Sequence, residues 1–440
     1  MSKQSQTSSR IQSFKGRVRV PGDKSISHRA MMLGGLAKGE TIISGLLEGE
    51  DVLCTADAMR RMGARISKDA GLWRIIGTGG KLKQPAQDLD MGNSGTSTRL
   101  LMGLIAGHPI TATFIGDQSL SKRPMKRVMG PLGDMGAQFP DHQDYKLPVT
   151  MKGSDALQAL EYTVPVASAQ VKSALILAGL GAQGTTKITE SRKTRDHSEI
   201  MLQTFGAEID IAEHDDGSST IAIAGGQKLW GCAIDVPSDP SSAAFPAVAA
   251  AIIEGADIYL PHIGVNKTRV GLYDTLREMG ADLTLSNEHS EGGEPVADMQ
   301  IRHNGALRGI TIPPERVPLM IDEFPILAVA ASCAEGTTTM TGLGELRVKE
   351  SDRLAMMAKG LAACGVQLEE GEDSLIIHGT GKPPKGGATI ETAHDHRIAM
   401  SFLVLGCVSD EPITIDDASP IKTSFPDFID LMEELGAEFS

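Results

Sequence analysis

One short pattern occurs six times in the chain and limits the folds that the sequence can adopt. In each copy an amphipathic helical segment ends in Gly-Ala or Gly-Val, and a strand-like segment follows. The copies are Met62-Gly63-Ala64, Met135-Gly136-Ala137, Phe205-Gly206-Ala207, Met279-Gly280-Ala281, Cys364-Gly365-Val366 and Leu435-Gly436-Ala437. They recur every 70 to 85 residues, whereas solenoid repeats measure about 20–50 residues. Each repeat is therefore predicted to be a packed unit of several strands and two helices, and 440 residues favour two domains of three units each.

A second pattern lies upstream of each copy: an apolar helical segment closes on a turn, and a strand rich in β-branched residues follows. The segment pairs are 31–39 with 41–43, 100–107 with 110–114, 174–184 with 185–189, 243–255 with 257–260, 326–336 with 337–340, and 398–408 with 413–415. Glycine near a helix end suits a left-handed C-cap, and β-branched residues suit a strand. Helices that are apolar on every side are buried. We therefore expect each of the six repeats to wrap its strands around one such helix.

Polar and cationic residues collect at the predicted helix starts. The first helices begin near Asp23-Lys24-Ser25, Asn93-Ser94-Gly95, Ser168-Ala169-Gln170, Asp239-Pro240-Ser241, Asp322-Glu323-Phe324 and Asp395-His396-Arg397, and several second helices begin near Lys122-Arg123, Arg195-Asp196 and Lys349-Glu350. Serine, threonine, asparagine and aspartate are common N-caps. Lysine and arginine oppose the helix dipole, which favours anions there by about 0.3–1 kcal/mol. Their repetition predicts a cleft between two domains that binds a small molecule with several negative charges.

Charge and composition exclude other classes of partner. The formal net charge is −14, which argues against nucleic acid because phosphate backbones bind basic surfaces. A local group of arginines and lysines can still focus a positive field inside an acidic protein. The segment from Met1 to Arg10 is polar, and no apolar run approaches the roughly 18 residues of a membrane span. We therefore expect a cytoplasmic protein without a membrane partner.

Cysteine and histidine give no metal signature. The five cysteines, Cys54, Cys232, Cys333, Cys364 and Cys407, form no C-x-x-C pair, which predicts buried thiols in a reducing compartment. The sequence His394-Asp395-His396 lacks a complete ligand set at a recognisable spacing. No metal is expected there, and the predicted role of this segment is hydrogen bonding around Arg397. His28 is expected on a helix surface.

Five motifs in this order carry a resemblance to a known family. They are Pro21-Gly22-Asp23-Lys24-Ser25-Ile26-Ser27-His28-Arg29, Gly92-Asn93-Ser94-Gly95-Thr96, Arg123-Pro124-Met125, Arg347-Val348-Lys349-Glu350-Ser351-Asp352-Arg353 and Asp395-His396-Arg397-Ile398-Ala399-Met400. Together they resemble the 5-enolpyruvylshikimate-3-phosphate synthase family, from about Gly16 onwards. Such enzymes transfer the enolpyruvyl group of phosphoenolpyruvate to the 5-hydroxyl of shikimate 3-phosphate and release phosphate. The resemblance implies a monomer that needs no metal and no organic cofactor.

The resemblance also implies a fold. It is a two-domain, inside-out α/β barrel of six βαβαββ repeats, three per domain, with the active site in the interdomain cleft. The expected N-terminal domain is 20–237, mainly on the shikimate 3-phosphate side. The expected C-terminal domain is 1–19 plus 238–440 and carries the catalytic carboxylates and the phosphoenolpyruvate arginines.

Substrate ligands follow from the matched positions. For shikimate 3-phosphate the resemblance implies Lys24, Ser25, Arg29, Ser168, Ala169, Gln170, Arg195, Asp322 and Lys349. For phosphoenolpyruvate it implies Lys24, Gly95, Arg123, Gln170, Arg353 and Arg397. The chemistry agrees, since arginine forks suit carboxylates and phosphates and lysine supplies a mobile charge. A glycine lets a phosphate lie directly on backbone N–H groups.

The resemblance implies three catalytic residues. The reaction needs a base for the attacking hydroxyl and an acid for the methylene carbon of the enol ether. Asp322 matches the base, and Glu350 with Lys24 matches the groups that give and remove the methylene proton. Neighbouring cations should keep Asp322 ionised, whereas proton donation by Glu350 would need a raised pKa. We expect both carboxylates to face one site.

Several positions depart from the commonest family pattern. Ala169 stands where many members have serine, so any contact there is through its backbone. Glu345 replaces a frequent asparagine, and Lys422 is displaced by one residue from the usual lysine, which leaves their roles open. These departures are typical of a divergent bacterial branch. Gly95 is retained, which predicts inhibition by glyphosate that Gly95→Ala relieves.

Two alternatives remain at this stage. The sister enzyme that transfers enolpyruvyl to UDP-N-acetylglucosamine shares the fold, but it usually carries a reactive cysteine in the loop that here covers residues 116–123, which contains none. A non-catalytic repeat protein that binds phosphorylated ligands is the other alternative. Phosphate release from phosphoenolpyruvate and shikimate 3-phosphate would distinguish all three.

Overall fold

The computed structural model describes residues 3–140 and 144–440. Met1 and Ser2, which belong to the predicted range 1–19, lie outside the described residues, as do positions 141–143 of the predicted range 20–237. The α-helices are α1 (Lys24–Leu36), α2 (Glu50–Arg61), α3 (Gly95–Ala106), α4 (Lys126–Asp134), α5 (Ala169–Gly179), α6 (His197–Thr204), α7 (Pro240–Ile252), α8 (Gly271–Glu278), α9 (Phe324–Cys333), α10 (Arg353–Ala363), α11 (His396–Gly406) and α12 (Phe428–Glu434).

Short strands alternate with these helices. They are β1 (Gln6–Ser8), β2 (Lys15–Arg17), β3 (Glu40–Ser44), β4 (Arg65–Asp69), β5 (Leu72–Ile76), β6 (Leu89–Asp90), β7 (Thr111–Ile115), β8 (Val149–Lys152), β9 (Glu161–Val164), β10 (Thr185–Glu190), β11 (Ile209–Glu213), β12 (Ser219–Ala224), β13 (Ala233–Asp235), β14 (Asp257–Gly264), β15 (Asp282–Glu291), β16 (Glu294–Arg302), β17 (Glu335–Met340), β18 (Gln367–Glu370), β19 (Leu375–Thr380), β20 (Thr389–Ile390) and β21 (Ile413–Ile415). The predicted α/β class is confirmed.

The chain divides into two compact units. We call Lys24–Val236 with Glu291–Glu294 the first unit, and Met1–Asp23 with Pro237–Ser290 and Pro295–Ser440 the second unit. Each unit has a hydrophobic core of its own. Three sheets of the first unit have the strand orders β13-β3-β5-β4, β6-β7-β8 and β11-β12-β10-β9. Those of the second unit have the orders β15-β16-β14-β2, β17-β19-β18 and β1-β21-β20.

The sheets repeat one plan. In five of the six, one parallel pair is followed by an antiparallel return; β9 with β10, for example, is parallel and β10 with β12 is antiparallel. In the sixth sheet, isolated parallel bridges Arg308↔Glu335 and Thr311↔Thr339 take the place of the parallel pair. The N-terminal strands join sheets of the second unit, β1 beside β21 and β2 beside β14. Three such sheets in each unit give the predicted sixfold repeat.

The predicted apolar helices are confirmed as the centre of each unit. In the first unit these are α1, α3 and α5, and in the second α7, α9 and α11. All ten residues of α9 are buried, which explains why this segment has no polar face. In the first unit the backbones of α3 and α5 are in direct contact. A Cβ added to Gly103 would overlap the carbonyl oxygen of Ala174. Glycine permits that approach.

The six Gly-Ala or Gly-Val copies end the outer helices α2, α4, α6, α8, α10 and α12. Their glycines all have φ between 85° and 113°. The N–H after each glycine donates to the carbonyl five residues earlier, in the pairs Ala64 with Met59, Ala137 with Leu132, Ala207 with Leu202, Ala281 with Leu276, Val366 with Leu361, and Ala437 with Met432. This is the Schellman turn, in which the residue after the glycine also packs on the last helical turn. The repeated pattern is therefore a repeated backbone stop signal.

Two further observations bear on the expectations from composition. Among the described residues, none of the helices combines the length and the hydrophobicity that a membrane crossing requires. All five cysteines are free: Cys333, Cys364 and Cys407 are buried, as predicted, while Cys54 and Cys232 are only half-buried.

The Schellman turn predicts opposite effects for two neighbouring glycines at the end of α4. Gly136→Ala should destabilise the first unit by about 1–2 kcal/mol, since an L-residue is strained at φ 113°. Gly133→Ala, inside α4 and likewise without a neighbour within 4 Å of an added Cβ, should stabilise it by about 0.5–1 kcal/mol. Urea unfolding of both variants measures the difference, and equal midpoints would contradict this account of the repeat.

Candidate active site

The first unit presents Lys24 and Ser25 at the start of α1. The Nζ of Lys24 lies 2.5 Å from Oδ2 of Asp51, in the first turn of α2, and the lysine side chain is 21% exposed. This carboxylate holds a charged lysine at the edge of the unit, within reach of a ligand. The sequence did not predict Asp51 as a site residue; its local signal is the acidic pair Glu50-Asp51 in the first turn of α2.

Arg29 is buried, one turn further along α1. Its Nε donates to Ser198 Oγ at 2.8 Å, its Nη2 to Ser173 Oγ at 2.8 Å and its Nη1 to the Ser25 carbonyl oxygen at 2.9 Å. The guanidinium thus joins α1 to α5 and α6. Arg29 also holds the backbone of Ser25, another predicted substrate ligand, through the carbonyl oxygen of Ser25.

His28 corrects an expectation. It is fully buried rather than on a helix surface, and its Nδ1 lies 2.8 Å from Thr55 Oγ1. The physical reason is that α1 is enclosed on nearly all sides, so that a polar residue at this position must find polar partners inside the unit.

Three of the predicted phosphoenolpyruvate ligands converge at the start of α3. An added Cβ on Gly95 would lie 3.4 Å from Arg123 Nη1 and 2.6 Å from Arg99 Nη1. Arg99 in turn donates to Gln170 Oε1 at 2.9 Å. The structure therefore brings together Gly95, Arg123 and Gln170, and adds Arg99, a cation that the sequence analysis left unassigned.

Neutral oxygens hold these arginines in place. Arg123 donates to the Asn93 carbonyl oxygen at 3.2 Å, to Asn93 Oδ1 at 2.5 Å and to Ser119 Oγ at 3.2 Å. Arg99 also donates to the Pro124 carbonyl oxygen at 3.1 Å. The side chains of both arginines end beside Gly95, and a guanidinium group suits a phosphate or a carboxylate.

The start of α5 carries the other predicted ligands of the first unit. Ser168 is the N-cap, and its Oγ accepts from the Val171 N–H at 3.4 Å. Ala169 is the first helical residue and offers only its backbone, as expected. Gln170 Nε2 donates to Thr96 Oγ1 at 3.0 Å, which ties this helix start to α3. Arg195 lies half-buried in the loop before α6.

In the second unit one guanidinium organises the predicted catalytic carboxylates. Arg353, at the start of α10, is 1% exposed. Its Nε donates to Asp395 Oδ2 at 2.8 Å, its Nη1 to Asp322 Oδ1 at 3.2 Å and its Nη2 to Glu350 Oε2 at 2.5 Å. Burial lowers the pKa of Arg353, but the charges of Asp395, Glu350 and Asp322 raise this pKa by more. The pKa of Arg353 therefore lies above its usual range.

This geometry bears on the expectations for Asp322 and Glu350. Both carboxylates accept from the same guanidinium, which places them close to each other in this unit; that they face one site stays a prediction. Asp322 does not cap α9, whose N-cap is Glu323; its carboxylate accepts from Arg353 instead. The contact with Arg353 suits a base at Asp322, and proton donation by Glu350 stays a prediction.

Arg397 lies beside this group. Its Nη1 donates to the backbone carbonyl oxygen of Asp322 at 2.8 Å and lies 3.7 Å from Glu323 Oε1. Asp395 caps α11 by accepting from the Arg397 N–H at 2.9 Å. Asp395 therefore has two structural roles: it binds Arg353 and it caps α11.

The segment before α10 positions Lys349 and Glu350. Arg347, in the 3₁₀ turn Gly344–Val348, donates to Asp352 Oδ2 at 2.9 Å, to Glu370 Oε1 at 2.9 Å and to the Gly371 carbonyl oxygen at 2.6 Å. Lys349 follows directly and is half-buried. Lys422 is exposed in another 3₁₀ turn, Ser419–Thr423.

The second unit contains another buried arginine, Arg269, which the sequence did not predict as a site residue. Arg269 donates to Asp23 Oδ2 at 2.7 Å, to Asp239 Oδ1 at 2.9 Å and to Ser241 Oγ at 2.8 Å, and Ser241 Oγ donates to Glu323. Burial lowers the pKa of Arg269, but Asp23 and Asp239 raise it by more. Arg269 thus links Asp239, the N-cap of α7, through Ser241 to Glu323, which precedes α9 beside Asp322. These residues lie far apart in the sequence, and no local pattern predicts their contact.

Comparison with known proteins identifies the family. The sequence profile described as EPSP synthase (3-phosphoshikimate 1-carboxyvinyltransferase) matches residues 9–432. A curated 3-phosphoshikimate 1-carboxyvinyltransferase from Paramagnetospirillum magneticum is 55% identical over 436 residues, which cover 99% of this chain and 98% of the relative. One from Rhodospirillum rubrum is 56% identical and covers 97% of this chain and 95% of its own length.

Structural comparison agrees. A solved structure of EPSP synthase from Acinetobacter baumannii superposes with a TM-score of 0.87 at 47% identity, covering 99% of this chain and all of that chain. The resemblance drawn from the five motifs is therefore confirmed over nearly the whole length. This chain belongs to the EPSP synthase family.

Proposed function

We propose that this protein transfers the enolpyruvyl group of phosphoenolpyruvate to the 5-hydroxyl of shikimate 3-phosphate and releases phosphate. The match of nearly the whole chain to the EPSP synthase family carries the proposal. The reaction belongs to the shikimate pathway of aromatic amino acid biosynthesis. Cations held at helix starts in both units fit two substrates that each carry phosphate and carboxylate.

Shikimate 3-phosphate is assigned mainly to the first unit. We assign its binding to Lys24, Ser25, Arg29, Ser168, Ala169, Gln170 and Arg195, with Asp322 and Lys349 from the second unit. The bonds from Arg29 to the Ser25 carbonyl and to Ser173 of α5 support this set, because they connect the two helices that carry most of it.

Phosphoenolpyruvate is assigned to Lys24, Gly95, Arg123, Gln170, Arg353 and Arg397. The proximity of Gly95, Arg123 and Gln170 in the first unit supports this part of the set. Because Gly95 has no Cβ, a phosphate or carboxylate can lie against the N–H groups at the start of α3. Arg353 and Arg397 would contribute from the second unit.

Catalysis is assigned to Asp322, Glu350 and Lys24. Asp322 takes the proton of the 5-hydroxyl group while the hydroxyl oxygen attacks C2 of phosphoenolpyruvate. At the same time Glu350, with Lys24, delivers a proton to the methylene carbon of phosphoenolpyruvate. The tetrahedral adduct then loses a methyl proton to the same acid–base pair and expels phosphate, which restores the enol ether. The shared contact with Arg353 supports the pairing of the two carboxylates in one site.

The domain roles are proposed together with these residues. The N-terminal domain, 20–237, would carry most of the shikimate 3-phosphate ligands. The C-terminal domain, 1–19 plus 238–440, would carry the catalytic carboxylates and the phosphoenolpyruvate arginines. We further propose a cytoplasmic monomer; the free cysteines fit a reducing compartment.

The first test is the reaction itself. With phosphoenolpyruvate and shikimate 3-phosphate, the purified protein should release phosphate in a continuous assay without added metal or organic cofactor. Replacing shikimate 3-phosphate with UDP-N-acetylglucosamine should abolish release. If phosphate is released from phosphoenolpyruvate with UDP-N-acetylglucosamine but not with shikimate 3-phosphate, the chain has the sister activity. If phosphoenolpyruvate and shikimate 3-phosphate bind without turnover, the non-catalytic alternative is favoured.

Removing the charge of Asp322 should separate chemistry from binding. We expect Asp322→Asn to lower kcat by about 10²–10⁴-fold, the usual contribution of a positioned acid or base. Shikimate 3-phosphate affinity should stay within about tenfold, a loss of roughly 1.4 kcal/mol. Asp373→Asn, at an exposed acid of the same unit, is the matched control. Full activity of Asp322→Asn would refute the assignment.

We propose inhibition by glyphosate because Gly95 is retained, and the close neighbours of an added Cβ support its relief by a methyl group. In Gly95→Ala the new Cβ would lie 2.6 Å from Arg99 Nη1, the mobile end of a side chain, so the protein folds but the ligand space narrows. We expect the inhibition constant to rise by about tenfold or more, since overpacking costs roughly 1–3 kcal/mol. Gly133→Ala is the control, and an unchanged inhibition constant in Gly95→Ala would contradict the steric argument.

A further inference from the structure

A buried lysine in α5 lies outside the roles proposed above. Lys172 is 1% exposed, and its Nζ lies 2.9 Å from Oε1 of Glu190 and 2.9 Å from Oε1 of Glu199. Burial lowers the pKa of Lys172, but Glu199 and Glu190 raise it by more, so the ammonium stays charged. We call these three residues the Lys172 cluster.

The cluster holds the loop of residues 191–196, which connects β10 to α6. The N–H of Thr194 donates to Glu190 Oε2 at 3.2 Å, and its hydroxyl donates to the same oxygen at 2.6 Å. The carbonyl oxygen of Thr194 accepts from Lys172 Nζ at 3.2 Å. Both backbone polar groups of Thr194 are thus bound by one ion pair. The peptide planes on either side of Thr194 are fixed, and so is the direction in which Arg195 leaves the backbone.

Stability is a weak reason for such a cluster. Three charges of net −1 have been taken out of water, and well-packed apolar side chains are often as stabilising as a buried ion pair or more so. Charged hydrogen bonds have direction, however, and apolar packing does not. Bonds from Lys172 and Glu190 to the backbone of one loop residue point to a role in orientation.

We propose that Lys172 and Glu190 position Arg195 for shikimate 3-phosphate by fixing Thr194 relative to the start of α5. This inference rests on the proposed function, in which Arg195 and the residues Ser168, Ala169 and Gln170 bind that substrate. Lys172 follows those three residues on the same helix. The cluster therefore holds the loop ligand and the helix ligands in one frame. Lys172 and Glu190 are positioning residues and make no substrate contact of their own.

The two glutamates provide a matched pair of variants. Both glutamates are buried and equally close to Lys172. The N–H and the hydroxyl of Thr194, however, donate to Glu190. Glu190→Gln must turn its amide NH₂ either to the ammonium of Lys172 or to the donors of Thr194, and both arrangements oppose donor to donor. We expect the KM for shikimate 3-phosphate to rise about tenfold or more, with kcat within about threefold. Glu199→Gln should leave that KM within about twofold, because its amide oxygen can still accept from Lys172 and the bonds of Glu190 to Thr194 are kept.

A double-variant cycle shows whether the effect passes through Arg195. In an Arg195→Gln background, Glu190→Gln should raise the KM for shikimate 3-phosphate by less than about twofold, because residues that act as one unit are not additive. The KM for phosphoenolpyruvate should stay unchanged throughout. Thr194→Val, which removes only the hydroxyl donor, should give a smaller rise of about threefold and serves if Glu190→Gln does not fold.

The outcomes separate the inference from the proposed function. If the unaltered protein releases no phosphate from the two substrates, the proposed function fails and direct binding of shikimate 3-phosphate by calorimetry still tests the cluster. If the protein is active, three results overturn the inference: equal KM changes in the two glutamate variants, full additivity with Arg195→Gln, or a wild-type KM in both Glu190→Gln and Thr194→Val.

Discussion

The left-handed glycine that ends each outer helix is the backbone constraint on which the repeated fold depends. Five of these helices run into the residues that lead to the next strand of their repeat, and the sixth, α12, closes near the bridge Ser8↔Phe439. A residue without Cβ accepts φ near 100° at little cost, and the Schellman bonds then satisfy carbonyls that a helix end leaves free. The same turn in all six repeats places equivalent strands and helices in equivalent positions. The helix starts, where the chemistry lies, are thereby fixed within each unit.

The two units use charge differently at those helix starts. In the first unit Arg123 donates to Asn93 and Ser119, and Arg99 donates to Gln170 and Pro124; these bonds are to neutral oxygens. In the second unit Arg353 binds three carboxylates, so that the guanidinium neutralises acids and sets their geometry. An arrangement of this kind suits a reaction in which phosphate and carboxylate groups must be bound while two protein carboxylates move protons.

Much of this was predictable from local patterns. Helix period, glycine position and β-branched runs predicted six inner helices, six outer helices and the strands after them, because each signal lies within a few residues of the structure that it specifies. Five motifs predicted the family, and the comparisons confirmed it. The exposure of His28 was predicted wrongly, since its local sequence does not reveal how completely α1 is enclosed.

The sequence by itself determined the repeat, the fold class, the family and the residue types at the helix starts. Tertiary structure alone decided the partners of those residues. Lys24 meets Asp51, Arg29 meets Ser173 and Ser198, and Lys172 meets Glu190, in each case from another element of the fold. Arg353 receives Asp322 and Asp395 from distant parts of the chain and Glu350 from the adjacent turn. The physical reason is that an ion pair or hydrogen bond depends on distance in space, which the packing of the inner helices sets, whereas a sequence pattern records only distance along the chain.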